Sequence, residues 1–135
     1  SAKHIEGIEI NPYLVDIANK SSEYLEVENI KIVAESFEDH VTNKAYEVFL
    51  SLANHSTYDG LTEYRIGEYF AKCRSMIEPG GLFVFESHPE GFEFKDMDHT
   101  CDMLRQHFTI SDMYKPSYGT KLDRGRTVIL AQPVD

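Results

Sequence analysis

The chain has 135 residues, 41% of them hydrophobic, which is enough for one core and too little for two, so residues 1–135 are expected to form a single domain. With 23 acidic against 13 basic residues, a formal net charge of −10, it lacks the clustered Lys and Arg from which nucleic-acid binders gain most of their affinity. No apolar run approaches a membrane span and no apolar signal core opens the sequence, so a soluble cytoplasmic protein with no nucleic-acid or membrane partner is expected.

Residues 4–10, HIEGIEI, read as a short strand. Ile5, Gly7, Ile8 and Ile10 suit burial on both faces, while Asn11 and Pro12 supply an N-cap and a first helical residue whose φ is already set. Glu9 then stands at the carboxyl end of a parallel strand, the edge where open α/β sheets bind nucleotide-like ligands and where an acid accepts hydrogen bonds from a ribose. Leu14, Ile17, Ala18, Ser21 and Leu25 recur at three- and four-residue spacing and predict an amphipathic helix of about four turns, broken at Glu28-Asn29.

Residues 30–34 form the next predicted strand, and a second acid, Glu35, follows it. A turn of helix is expected over 37–41, then a third strand over 46–52, YEVFLSL, which leaves through the polar loop 53–60. Thr62 is expected to cap a long helix with Tyr64, Ile66, Tyr69, Phe70, Cys73, Met76 and Ile77 along one stripe, ended by Pro79-Gly80-Gly81. A buried strand over 82–85 exits into Glu86-Ser87-His88. A weaker helix over 94–107 turns Met97, Cys101 and Leu104 inward, and strands over 108–113 and 127–131 are expected to pair antiparallel. The alternation predicts an α/β fold, a mostly parallel sheet with helices on both faces and an antiparallel pair at one edge. Cys73 and Cys101 lack CxxC or metal spacing and read as small buried residues.

The order of these motifs resembles that of the class I S-adenosylmethionine-dependent methyltransferases. GIEINP, VAESFED, YEVFLSLANHS and IEPGGLFVFESH resemble the second to fifth strands of that family, and RGRTVILA resembles its closing antiparallel edge. The resemblance implies a three-layer Rossmann-like methyltransferase sheet and S-adenosyl-L-methionine as cofactor. Glu9 resembles the ribose-binding acid, with Asn11 beside it, and Glu35 the acid that meets the adenine amino group, with Ser36 and Phe37 offering a backbone N–H and an apolar wall. Ser51 and Asn54 fall where the family holds the methionine end of the cofactor.

One departure stands out. The family's glycine-rich GxGxG loop and the strand before it would precede His4, and these 135 residues contain neither. In family order the missing first strand lies between those at 4–10 and 46–52, leaving two edges unpaired in mid-sheet. The sequence is therefore expected to be a truncated piece of a longer chain that binds cofactor poorly and is inactive alone. Either the gap closes directly or two copies share strands as a homodimer.

Methyl transfer from a sulfonium is an in-line displacement in which positioning does most of the work, sometimes aided by proton removal from the acceptor. His55 is the candidate base for an acceptor hydroxyl, with His88 and Tyr58 as further catalytic candidates and Glu86 as an orienting group. His4, His40, His99 and His107 read as structural or solvated. ANHS is unlike the NPPY or DPPY pattern of base methylation. Asp96, Asp98 and His99 do not share one helical face, so no metal is expected. The expected function is methyl transfer to a small-molecule acceptor, at oxygen. Its rivals are a nicotinamide-dinucleotide domain, which Glu9 would serve equally well, and a non-catalytic module that dimerises through its incomplete sheet.

Overall fold

The structure, a computed structural model, describes residues 2–52, 63–87, 97–117, 119 and 125–134. They fall into two compact units, Ser1–Val41 and Thr42–Asp135.

The first unit is a β-α-β element made of β1 (Ile5–Glu9), α1 (Pro12–Tyr24) and β2 (Ile30–Ala34). β1 and β2 pair in parallel, with Gly7 opposite Ile32 and Glu9 opposite Ala34. The helix starts as the sequence dictates: Asn11 is extended, its side chain accepts from the Tyr13 N–H, and Pro12 opens the first turn. Its inward face shares Ala18 with the expected one but is otherwise turned. Val15 is the helix's buried residue, with Ala18, Asn19 and Ser22 half-buried on the same side, whereas Leu14, Ile17 and Leu25 are exposed.

The physical reason is that two interleaved rows satisfy the helical spacing. The row chosen places Asn19 Nδ2 within 3.4 Å of the Ile32 carbonyl, and leaves Ile17, Tyr24 and Leu25 lining a shallow apolar groove. β1 is likewise less buried than its composition predicts, since α1 can cover only one face of the strand pair; Ile5 and Ile10 are exposed.

The second unit contains β3 (Tyr46–Leu52), α2 (Ile66–Ser75), β4 (Ile77–Glu86), α3 (Met97–Arg105), β5 (Phe108–Tyr114) and β6 (Val128–Pro133). The strands form one sheet in the order β3-β4-β6-β5, parallel at β3/β4 and antiparallel from β4 onward. The expected antiparallel pair is therefore present, and β6 extends it by reaching between β4 and β5. Phe49, Phe83, Phe85, Ile129 and Ala131 share one face through cross-strand registers. Phe70 of α2 meets Phe83 and Phe85 edge-on, and Phe83 stacks on Phe108 at a centroid distance of 4.7 Å. Thr100, Cys101 and Leu104 are the buried residues of α3. On the opposite face Val48, Leu50 and Leu52 of β3 are exposed.

Two boundaries differ from expectation. The helix predicted to begin at Thr62 starts at Ile66, behind Arg65, whose backbone N–H is capped by the Glu68 carboxylate at 2.8 Å; Thr62 itself lies outside the described residues. The Pro79-Gly80-Gly81 segment lies within β4 rather than simply ending a helix. Tyr46 pairs with Ile77, and Val48 with Leu82, so the segment is a bulge that absorbs the extra residues. Glycine is required there. Gly80 has φ of 76°, and a Cβ on Gly81 would stand 2.7 Å from Ile77 Cγ2 and 3.1 Å from the Glu47 carbonyl.

Among the described residues β1 pairs only with β2, and β3 only with β4. No described helix is long and apolar enough to cross a membrane.

Candidate functional site

The parallel register of the first unit brings two carboxylates to one edge. Glu9 ends β1 and is opposite Ala34; Glu35 is the next residue beyond Ala34 on the adjacent strand, roughly 4.8 Å across. Both side chains belong to half-buried residues. Glu9 Oε1 accepts from the Asn11 N–H at 2.8 Å, so the turn into α1 orients the carboxylate; Oε2 has no hydrogen-bond partner among the described residues. Asn11 thus acts twice at this corner. Its backbone positions Glu9 and its side chain caps the helix.

The loop after β2 is a closed turn. Ser36 Oγ donates to Asp39 Oδ2 at 2.8 Å and accepts from the Asp39 N–H at 3.0 Å, while the His40 N–H donates to the Ser36 carbonyl at 3.1 Å. With the Ser36 hydroxyl so committed, a ligand would meet Ser36 through its backbone N–H. Phe37 is half-buried in the same turn. His40 Nδ1 lies 2.6 Å from Glu35 Oε1, closing the turn from the far end. A carboxylate can only accept, so Nδ1 is the protonated ring nitrogen. That pairing was not legible in the sequence, where His40 read as structural or solvated.

The remaining predicted residues belong to the second unit. Ser51 is fully buried and its Oγ is 2.8 Å from the Tyr69 hydroxyl, so its side chain faces α2. Asn54, His55, Tyr58 and His88 lie outside the described residues. Glu86 is held by Arg126 Nη1 at 3.1 Å, and next to it Ser87 and Thr127 exchange two hydrogen bonds, Ser87 N–H to the Thr127 carbonyl and Thr127 N–H to Ser87 Oγ. That reciprocal clamp fixes the strand exit. Spacing gave no signal for it, because the two residues are 40 apart in sequence.

No group of three or more His, Cys, Asp or Glu side chains able to hold a metal occurs among the described residues. The thiols are structural. Cys73 and Cys101 are both buried and unpaired, and burial pushes both above the ordinary thiol range, Cys73 strongly.

No protein-family model matches the sequence, and neither does any curated protein. The fold does match solved structures. The N-methyltransferase NodS from Bradyrhizobium japonicum WM9 superposes with a TM-score of 0.79 at 14% identity, over 98% of this chain and 75% of that one. A second NodS structure, in complex with S-adenosyl-L-homocysteine, matches with the same TM-score of 0.79 at 12% identity, over 98% and 68% of the two chains. The geranyl diphosphate C-methyltransferase from Streptomyces coelicolor A3(2) matches at 0.74 with 11% identity, over 96% of this chain and 64% of that one. An rRNA methylase from Streptococcus thermophilus matches at 0.68 with 12% identity, over 98% and 75%.

The chain therefore has the fold of the class I S-adenosylmethionine-dependent methyltransferases.

Proposed function

We propose that this chain carries the adenosine-binding edge of an S-adenosylmethionine-dependent methyltransferase acting on a small-molecule acceptor, at oxygen. The observation that carries the reading is the pairing of Glu9 and Glu35 at the carboxyl ends of adjacent parallel strands, one residue out of register. NodS, similar in fold, has been solved with S-adenosyl-L-homocysteine, which supports the choice of cofactor. Glu9 would accept from the ribose hydroxyls through Oε2, which has no hydrogen-bond partner among the described residues, and Glu35 would accept from the adenine amino group. When bound, the cofactor would supply an electrophilic methyl carbon, and His55, which lies outside the described residues, would be the base for an acceptor hydroxyl. An acidic chain suits a small or cationic acceptor better than a polyanion.

Titration calorimetry tests the reading, with S-adenosyl-L-homocysteine added to the chain and to a Glu9→Ala variant, and NAD as the control ligand. The variant is expected to bind at least tenfold more weakly, roughly 1.5 kcal/mol, the loss of a hydrogen bond to a charged acceptor. Binding of NAD in preference would replace the reading with a dinucleotide domain, and an unaffected variant would remove Glu9 from the site.

A further inference from the structure

His40 Nδ1 lies 2.6 Å from Glu35 Oε1, a contact that the proposed function does not use. We propose that His40 is a positioning residue for base recognition: it holds the Glu35 carboxylate in the one orientation that accepts from a 6-amino purine and rejects a 6-oxo purine. The inference rests on the adenosine reading of Glu35.

The geometry carries it in three steps. A glutamate at the end of a strand has several side-chain rotors and samples many rotamers in water, so an unsupported Glu35 would lose that freedom on meeting a ligand. Here Nδ1 of His40 donates to Oε1 at 2.6 Å and fixes the carboxylate. The imidazole is itself fixed, with its side chain only 15% exposed and its backbone N–H bonded to the Ser36 carbonyl across a turn that Ser36 and Asp39 close. Finally, with Oε1 occupied, Oε2 has no partner among the described residues and can accept from an exocyclic amine. The 6-oxo group of a hypoxanthine base offers that oxygen no proton, and two acceptors facing each other are repelled.

The Nδ1 proton is present in both the neutral tautomer that makes this bond and the imidazolium. Base discrimination, rather than pH, is therefore the informative readout. A histidine that merely braced the loop would change stability without changing which base is preferred.

The experiment measures dissociation constants of S-adenosyl-L-homocysteine and its 6-oxo, inosine-containing analogue on the full chain. The variants are His40→Leu, which removes the donor, His40→Gln, which keeps an N–H, and Glu35→Gln, whose amide can donate to a 6-oxo group. The wild-type chain should prefer the adenosine compound by about tenfold or more. His40→Leu should reduce the ratio several-fold, His40→Gln should recover part of it, and Glu35→Gln should abolish or invert it. Melting curves of each variant confirm that a folded species is titrated; should His40→Leu not fold, the His40→Gln ratio and the Glu35→Gln ratio still decide.

A ratio that collapses in Glu35→Gln but stays at the wild-type value in both His40 variants overturns the role of His40 and leaves the adenosine reading standing. A wild-type chain that binds neither compound, or binds both alike, overturns the proposal and the adenosine reading together.

Discussion

The two units of this chain solve the same problem, covering β-strands with helices, to very different degrees. In Thr42–Asp135, α2 and α3 meet a sheet face paved with Phe49, Phe83 and Phe85, and Phe70, Phe83, Leu104, Phe108 and Ile129 are fully or almost fully buried. In Ser1–Val41 the buried apolar residue is Val15, while Ile10, Leu14, Ile17 and Tyr24 are exposed. Stability and the candidate ligand edge are thus separated. The unit with the weaker core carries Glu9, Asn11, Glu35 and His40, held by short polar contacts rather than by packing. Elements that bind ligands are commonly drawn from the less stable part of a fold.

The largest effects should come from testing that contrast by substitution. Phe83→Ala removes a ring that touches four other aromatic rings and should cost about 3–5 kcal/mol. Val15→Ala removes two methyl groups from a site that is already near the surface and should cost about 1.5 kcal/mol. Urea unfolding gives both values. Equal losses would mean that the first unit depends on burial as much as the second, and the comparison would fail.

A smaller effect sharpens the account of the second unit. Burial raises the folded pKa of Cys73, so the folded thiol stays neutral while the unfolded one ionises above about pH 8.5. Stability from this group is complete below that pH and is lost as pH rises toward the folded value. By pH 9.5 the loss is about 1.4 kcal/mol. The alkaline decline in unfolding free energy should therefore be steeper in the wild-type chain than in Cys73→Ala. Parallel declines would show that the thiol reaches water.

Much of the fold was legible because its signals are local. Asn11-Pro12 specifies a helix start whatever surrounds it, and the apolar runs at Ile30–Ala34 and Tyr46–Leu52 are bounded by polar turns, so those elements fall where the sequence places them. Choices made by packing were not legible. Spacing alone could not decide between the Leu14-Ile17-Ala18-Ser21-Leu25 face and the Val15-Ala18-Asn19-Ser22 face of α1, which share Ala18 and lie about one position apart around the helix. Nor could it reveal that Pro79-Gly80-Gly81 is a bulge within β4, since that follows from the register with β3.

The candidate site divides the same way. Glu9 and Glu35 were placed by their position at strand ends, but the groups that aim them, the Asn11 N–H and His40 Nδ1, follow from turn geometry that no periodicity encodes.

The measurement that bears most directly on the central claim is a backbone amide NMR titration of the chain with S-adenosyl-L-homocysteine. The account predicts concentration-dependent shifts concentrated at Glu9 to Asn11 and at Glu35 to Phe37, with the amides of β5 and β6 unmoved. Saturable shifts confined to other residues, or none at millimolar ligand on a folded chain, would contradict it.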